Sequence, residues 1–437
     1  MRLWRKRHFT PAGIMMVWAV FLSGLLGFNI IKTNLYQALA FSFSLMGVSI
    51  LLSLLPFKFK VKINRILPEY ASINDKLSYD LEITNLSPKT WKGLILYENV
   101  HDPRPSFKSL LSQKEPLEHK RNIWDKKILY YRWQWLIHKN MKAFFPPIIL
   151  PDLPPGKKIR VTAHLTPHYR GYIHFSSFTL ARPDVIGLFN RLLKVKKSQK
   201  IIVLPKQYQL ENPDLISTRK FHPGGINFAS SIGNCDEFMS LRQYRPGDPL
   251  RNVHWRSFAK TNELVIKEFE DEHFVRHALI FDTFLNSGNE TLFEAGVSTA
   301  SSYISSMQDY ESILDLMFVG NQIYSFSSGR GLAQSEKMLE ILACVESCEN
   351  KTILELLPVL ESNIKKFSGS ICIFLDWEQG HKKIYQMFKQ ALIPIFIIVL
   401  TQNKLKMEEI IFQDMNNSRA DIKVIHYDHI QQELGAA

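Results

Sequence analysis

The chain has 437 residues, enough for about three domains of ordinary size. Hydrophobic residues make up 46% and charged residues 22%, which excludes a disordered chain and a membrane protein of many spans. The formal net charge is +13. Its placement decides whether that excess speaks of nucleic acid or of an anionic membrane. Residues 1–70 hold nine Lys or Arg (Arg2, Arg5, Lys6, Arg7, Lys32, Lys58, Lys60, Lys62, Arg65) against one acid, Glu69, so +8 of the +13 sits at one end.

That end reads as membrane. Phe9 to Ile31 and Thr33 to Phe57 carry no charged residue, and only Lys32 separates them. Each run exceeds the roughly 20 helical residues that cross a hydrocarbon core. The expectation is a helical hairpin over 1–57 with spans at about 10–31 and 34–56. Basic residues flank it on both outer sides, which by the positive-inside rule puts both termini in the cytoplasm. The four cysteines include no CxxC and no Cys/His cluster, so zinc is not indicated and reduced thiols fit a cytoplasmic body.

From residue 58 to about 210, short alternating runs such as Leu77 to Ile83, Ile159 to Leu165 and Ile201 to Leu204 are punctuated by Pro, Gly and Asn. This pattern predicts a β-sandwich-like domain. An insertion at about 102–156 interrupts it. Within the insertion, seven Lys or Arg and a single acid between His119 and Lys142 are interleaved with Trp and Tyr. On one helix, Trp124, Tyr131 and Trp135 share a face, although Trp133 and Ile137 point elsewhere. Such a segment suits a structural insertion, an interfacial helix at anionic headgroups, or a nucleic-acid surface. Nucleic acid is not the expected partner, since most of the basicity flanks the apolar runs. From about 276 to 437, buried apolar strands alternate with amphipathic helices, which predicts an α/β doubly wound sheet.

The most informative stretch, 211–275, connects the two bodies. It contains Glu237, Arg242, Tyr244, the turn Pro246-Gly247-Asp248, Arg251, Trp255 and Lys260. Pro presets φ, Gly permits positive φ, and Asp bonds the backbone that follows. Arginine forks among aromatic residues either bind an anion or a partner, or pair internally with Asp248, Glu237, Glu268 and Glu270.

The run E-F-x-x-L-R-x-Y-x-P-G-D-x-x-R-x-V-x-W-x-x-x-A-K over 237–260, followed by L-V-I-K-E-F-E over 264–270, resembles the bacterial domain of unknown function 58 family. Arg170-Gly171 and Asp184 to Phe189 resemble its R-G pair and D-P-x-G-L-F segment, with Val185 where Pro is usual. The resemblance implies paired N-terminal spans in a bacterial inner membrane, a β-rich middle and a von Willebrand factor A-like (Rossmann-like) C-terminal domain. It also implies a MoxR-type AAA+ ATPase as protein partner, besides the lipid membrane.

An A-type domain can hold Mg²⁺ through Asp-x-Ser-x-Ser and a later acid, all hard oxygen ligands. Here the run is Asp282-Thr-Phe-Leu-Asn286, with Phe284 and Asn286 in the serine positions and Asp376 as the second acid. Only a degenerate site at Asp282, Asn286 and Asp376 is expected, so no cofactor is assigned. No catalytic triad, HExxH or phosphate-loop motif occurs. The expected function is a non-enzymatic, membrane-anchored adaptor or scaffold binding another protein. The alternatives are an Mg²⁺-dependent ligand-binding domain or enzyme using Asp282 and Asp376, or an anion or nucleic-acid binder through the basic segments.

Overall fold

A computed structural model describes residues 8–26, 33–54, 59–100, 102–115, 118, 121–210, 238–269, 275–284, 289–307, 312–320, 322–328, 332–348, 351–414 and 422–435. The chain divides into two compact units, Met1–Leu204 and Pro205–Ala437.

The first unit opens with helices α1 (Pro11–Leu26) and α2 (Thr33–Leu54), which pack on each other. Two sheets follow. One has the order β1-β3-β7-β5, with β1 Val61–Ile66, β3 Leu77–Asn85, β7 Lys158–Pro167 and β5 Ala143–Phe144. The other has the order β2-β9-β8-β4-β6, with β2 Tyr70–Ser72, β9 Asn190–Leu204, β8 Gly171–Pro183, β4 Ile95–Val100 and β6 Ile148–Ile149. Alternation along β3 sends Tyr79, Leu81 and Ile83 into a core shared with Phe175, Phe178 and Leu180 of β8. Inside this apolar core lies an ion pair. Arg65 donates to both carboxylate oxygens of Glu98 at 2.9–3.2 Å and lies 3.9 Å from the Phe178 ring centre, and the Tyr79 hydroxyl donates to Glu98 at 2.9 Å. Burial pushes the Glu98 carboxyl up; Arg65 and Tyr79 pull it back.

The second unit is built on a six-stranded sheet of order β14-β13-β12-β15-β16-β17. Its strands are β12 Val275–Phe281, β13 Ser312–Val319, β14 Ile323–Ser328, β15 Gly369–Phe374, β16 Ile395–Thr401 and β17 Ile422–His426. All neighbours are parallel except the β13–β14 hairpin. Six consecutive residues of β15 are buried, because helices cover both faces. Ala278, Ile280, Cys372 and Phe374 face one cluster with Leu360, Ile384 and Phe388. On the opposite face Gly296, in the helix Glu290–Ser306, sits so close to Phe281 that an added Cβ would lie 2.9 Å from its ring.

The expected order of two membrane-crossing helices, a β-sandwich and a von Willebrand factor A-like domain does not describe this chain. Among the described residues a single helix, Tyr36–Leu54, is long and apolar enough to cross a membrane. Among the described residues the first apolar run is helical over 16 residues, about 24 Å at 1.5 Å per residue, short of a hydrocarbon core of about 30 Å. An uncharged run counts every apolar residue, whereas α1 starts only at Pro11, behind Thr10. That residue's N–H and hydroxyl are bound to the backbone of Leu188. In place of the three-part scheme stand β-rich sheets with several helices.

The basic, aromatic insertion is also not one helix. It breaks into α4 (Ile123–Ile128) and α5 (Tyr130–Asn140), after a short α3 (Phe107–Ser112). Leu129, between α4 and α5, has a φ of 56°. Trp124 therefore shares no helix face with Tyr131 and Trp135. The inner face of α5 is Arg132 and Leu136, and Arg132 is paired with Glu118.

Candidate functional site

Two places collect the residues singled out by the sequence. The first is a small antiparallel pair, β10 (Phe238–Gln243) with β11 (Val265–Phe269). Between the strands lie a tight turn, a 3-10 turn at Leu250–Asn252 and α6 (Trp255–Thr261). The turn closes where the Asp248 N–H donates to the Arg245 carbonyl at 3.0 Å. Gly247 sits at φ +107°, a conformation that a side chain rarely adopts, and Pro246 precedes it as a turn of this kind favours. Arg242 reaches across from β10 and grips both oxygens of Asp248, at 2.7 and 2.8 Å. The Arg245 N–H adds a third donor at 2.8 Å. The Arg242 guanidinium, helped by that N–H, holds the Asp248 carboxyl down at about 2.

This lock fixes the frame of the module. Val253 bridges to Ile266, both buried, and the His254 N–H donates to the Val265 carbonyl. Tyr244 is tied by its N–H to Leu264. The outside of the frame is apolar. Leu241, Leu250 and Trp255 are exposed, Leu250 and Trp255 at about 60%. Arg251 and Lys260 are also at the surface. Glu237 lies outside the described residues.

The second place is a cavity of about 520 Å³ at the C-terminal edge of the parallel sheet. Asp282, Phe284, Thr352, Asp376, His381 and Lys382 line it. Open parallel sheets hold ligands at this edge, because strands and helix starts converge there. Asp282 follows β12 directly and is fully buried. One of its oxygens accepts the Phe284 N–H at 2.9 Å; the other accepts the Leu375 N–H at 3.2 Å and faces His381 Nε2 at 3.1 Å. His381 lies in the first turn of the helix Gln379–Gln390. Its Nδ1 accepts the Glu378 N–H at 3.0 Å, so the ring proton is on Nε2 and is donated to Asp282. The Glu378 carboxylate in turn accepts the His381 backbone N–H, completing a capping box.

These residues do not fit Mg²⁺. The imidazole of His381 already donates to one Asp282 oxygen, and a protonated ring nitrogen is no ligand. Phe284 offers no oxygen and instead bridges to Cys348 through its backbone. Asp376 lines the same cavity, while Asn286 lies outside the described residues. Among the described residues no group of three or more His, Cys, Asp or Glu is placed to hold a metal. Sequence reasoning missed His381. A lone histidine five residues after Asp376 carries no spacing signal; only the helix start just before it could have marked the position.

The membrane-surface candidates differ among themselves. Trp124 is the most exposed, at 75%. Tyr131 lies against the Arg121 guanidinium at 3.9 Å, and Trp135 is half-buried with Lys139 over its ring.

No family model matches the chain. The uncharacterized protein YeaD of Bacillus subtilis (strain 168) is 26% identical over 176 residues, covering 40% of this chain and 42% of that protein. The chain thus matches less than half of that relative's length. Among solved structures, the ASH / PapD-like domain 7 of human CEP192 is 12% identical and covers 33% of this chain and 86% of its own, with a TM-score of 0.18. A β-glucosidase from Listeria innocua in complex with glucose is 13% identical and covers 33% of this chain and 16% of its own, with a TM-score of 0.16. Overlaps of this size bear on neither fold nor function. These matches do not place the chain in a family.

Proposed function

We propose that this protein is a membrane-attached adaptor that binds another protein through the module of β10, β11 and α6. The observation that carries this reading is the exposed apolar set Leu241, Leu250 and Trp255 on a frame locked by Arg242 and Asp248. Tryptophan and arginine dominate binding energy at protein interfaces, and a pre-ordered frame lowers the entropy lost on docking. The internal commitment of Asp282 favours the adaptor over an Mg²⁺-dependent binder or enzyme. Attachment runs through α2. The body lies on the cytoplasmic side, since Lys60, Lys62 and Arg65 follow that helix. The resemblance of residues 237–270 to the domain of unknown function 58 family supports a MoxR-type AAA+ ATPase as the partner.

Affinity capture of the full chain from detergent-solubilised membranes tests the reading. The wild-type chain retains an AAA+ ATPase, and Trp255→Ala loses it at unchanged thermal stability. Recovery of neither an ATPase nor any envelope-assembly protein refutes the proposal.

A further inference from the structure

The segment that resembles a family motif at 184–189 has a position the adaptor reading leaves unused. It is the loop between β8 and β9, and it is bolted to the N-terminal helices. The Ser49 hydroxyl, within the last two turns of α2, donates to the Asp184 carboxylate. The other Asp184 oxygen accepts the N–H groups of Gly187 at 2.6 Å and Leu188 at 3.0 Å. Thr10, just before α1, donates its N–H to the Leu188 carbonyl at 3.1 Å, and an added Cβ on Gly13 would lie 2.0 Å from the same oxygen. The loop therefore stands at a fixed height beside the end of α2. Val185 at its tip is 85% exposed.

Immediately behind this loop, Arg182 and Arg191 are directly opposite each other in the antiparallel register. Side chains directly opposite share a face, and like charges in that relation repel. Among the described residues no carboxylate forms an ion pair with either arginine, and the acid between them in the chain, Asp184, is committed to Ser49 and the loop backbone. The Arg191 Nε is buried and makes no hydrogen bond. Arg182 lies over the Trp91 ring at 4.9 Å, and Trp91 packs on Phe59 at 5.0 Å, five residues after α2 ends. Two planar forks, one seated on an aromatic wall and one with an unused buried N–H, thus share one face of the sheet where the chain leaves α2. An anion between them removes the repulsion and supplies the missing acceptor. Guanidinium forks match phosphate oxygens in pairs.

We propose that Arg182 and Arg191 form a binding site for the headgroup phosphate of an anionic phospholipid. This rests on the membrane attachment proposed above. The headgroup layer is the phosphate source that lies level with the end of a membrane-crossing helix.

Native mass spectrometry of the detergent-solubilised full chain tests the site, with phosphatidylglycerol and phosphatidylcholine titrated in parallel. The wild-type chain binds phosphatidylglycerol roughly tenfold more tightly than phosphatidylcholine. The double variant Arg182→Gln/Arg191→Gln loses that preference, and Lys196→Gln, farther along β9, keeps it. Arg182→Gln alone, at an exposed position that folding tolerates, lowers the preference at least threefold. Retention of the full preference in Arg182→Gln and in the folded double variant overturns the site. So does complete displacement of the lipid by millimolar inorganic phosphate, which marks a site for free phosphate instead. Carbonate washing of membranes holding the wild-type chain separates the two proposals. Release of the protein defeats membrane attachment itself; a chain that stays in the membrane yet shows no preference between the lipids defeats the headgroup site alone.

Discussion

Glu98 and Arg65 are both fully buried, so each relies chiefly on the other, with Tyr79 and the Lys197 carbonyl beside them, for the hydrogen bonds that water no longer supplies. Glu98→Ala strands a guanidinium between Phe175 and Phe178 and costs about 3–5 kcal/mol, read as a lowered midpoint in chemical unfolding of the full chain. Glu98→Gln retains an acceptor for Arg65 and for Tyr79 and costs less. His381 has a comparable part in the second unit. Its removal leaves Asp282 with two backbone N–H donors in place of three donors. His381→Ala is expected to cost about 1–3 kcal/mol in the same measurement, and His381→Gln, which can still donate, recovers part of it. None of this partnership could be read from the sequence. Asp282 is conspicuous there as the acid ending an apolar strand, but its partner is 99 residues away and belongs to no motif.

At the level of elements, the module of β10, β11 and α6 is held by one bidentate pair and one turn. Asp248 is held down at about 2, below its ordinary value near 3.9. An acid whose folded value is depressed adds stability above its unfolded value and loses it as pH falls through the folded one. The module's lock should therefore be intact above about pH 4 and lost between about pH 4 and pH 2. Amide exchange of Arg245 and Asp248 followed across that window checks it, and Asp248→Asn abolishes the dependence. The turn itself was legible: Pro-Gly-Asp has a single economical geometry, and Gly247 adopts a positive φ. Alternation was equally legible in β3, where Tyr79, Leu81 and Ile83 turn inward. Two elements were not. Leu129 takes a left-handed conformation that its type does not announce, and it splits a segment whose periodicity looked continuous. The start of α1 at Pro11 is also invisible to hydropathy, which sees an uncharged run from Phe9.

Across the whole molecule, the two units bury their cores by different means, and cysteine chemistry reports on one of them. Cys372 is fully buried in β15 and its thiol is pushed up by that burial, whereas Cys344 is exposed at the end of the helix Leu332–Cys344. Alkylation of the native protein should modify Cys344 promptly and Cys372 only at the rate at which the six-stranded sheet opens, resolved by peptide mass spectrometry. Comparable rates at the two positions contradict a closed sheet. The apolar strands β12, β15 and β16 were visible in the sequence as uninterrupted runs because both of their faces are covered.

The first unit ties its beginning to its end. Tyr70 to Ser72 pair in parallel with Ile202 to Leu204, and Arg65 donates to the Lys197 carbonyl across 132 residues of chain. On a ribosome adding 5–20 residues per second, strand β1 waits roughly ten seconds for β9 to be made. Throughout that time the β2 edge that β9 will cover is open to any strand nearby. Correct assembly of this unit is therefore a matter of timing, and a pause in translation before residue 190 should raise its aggregation.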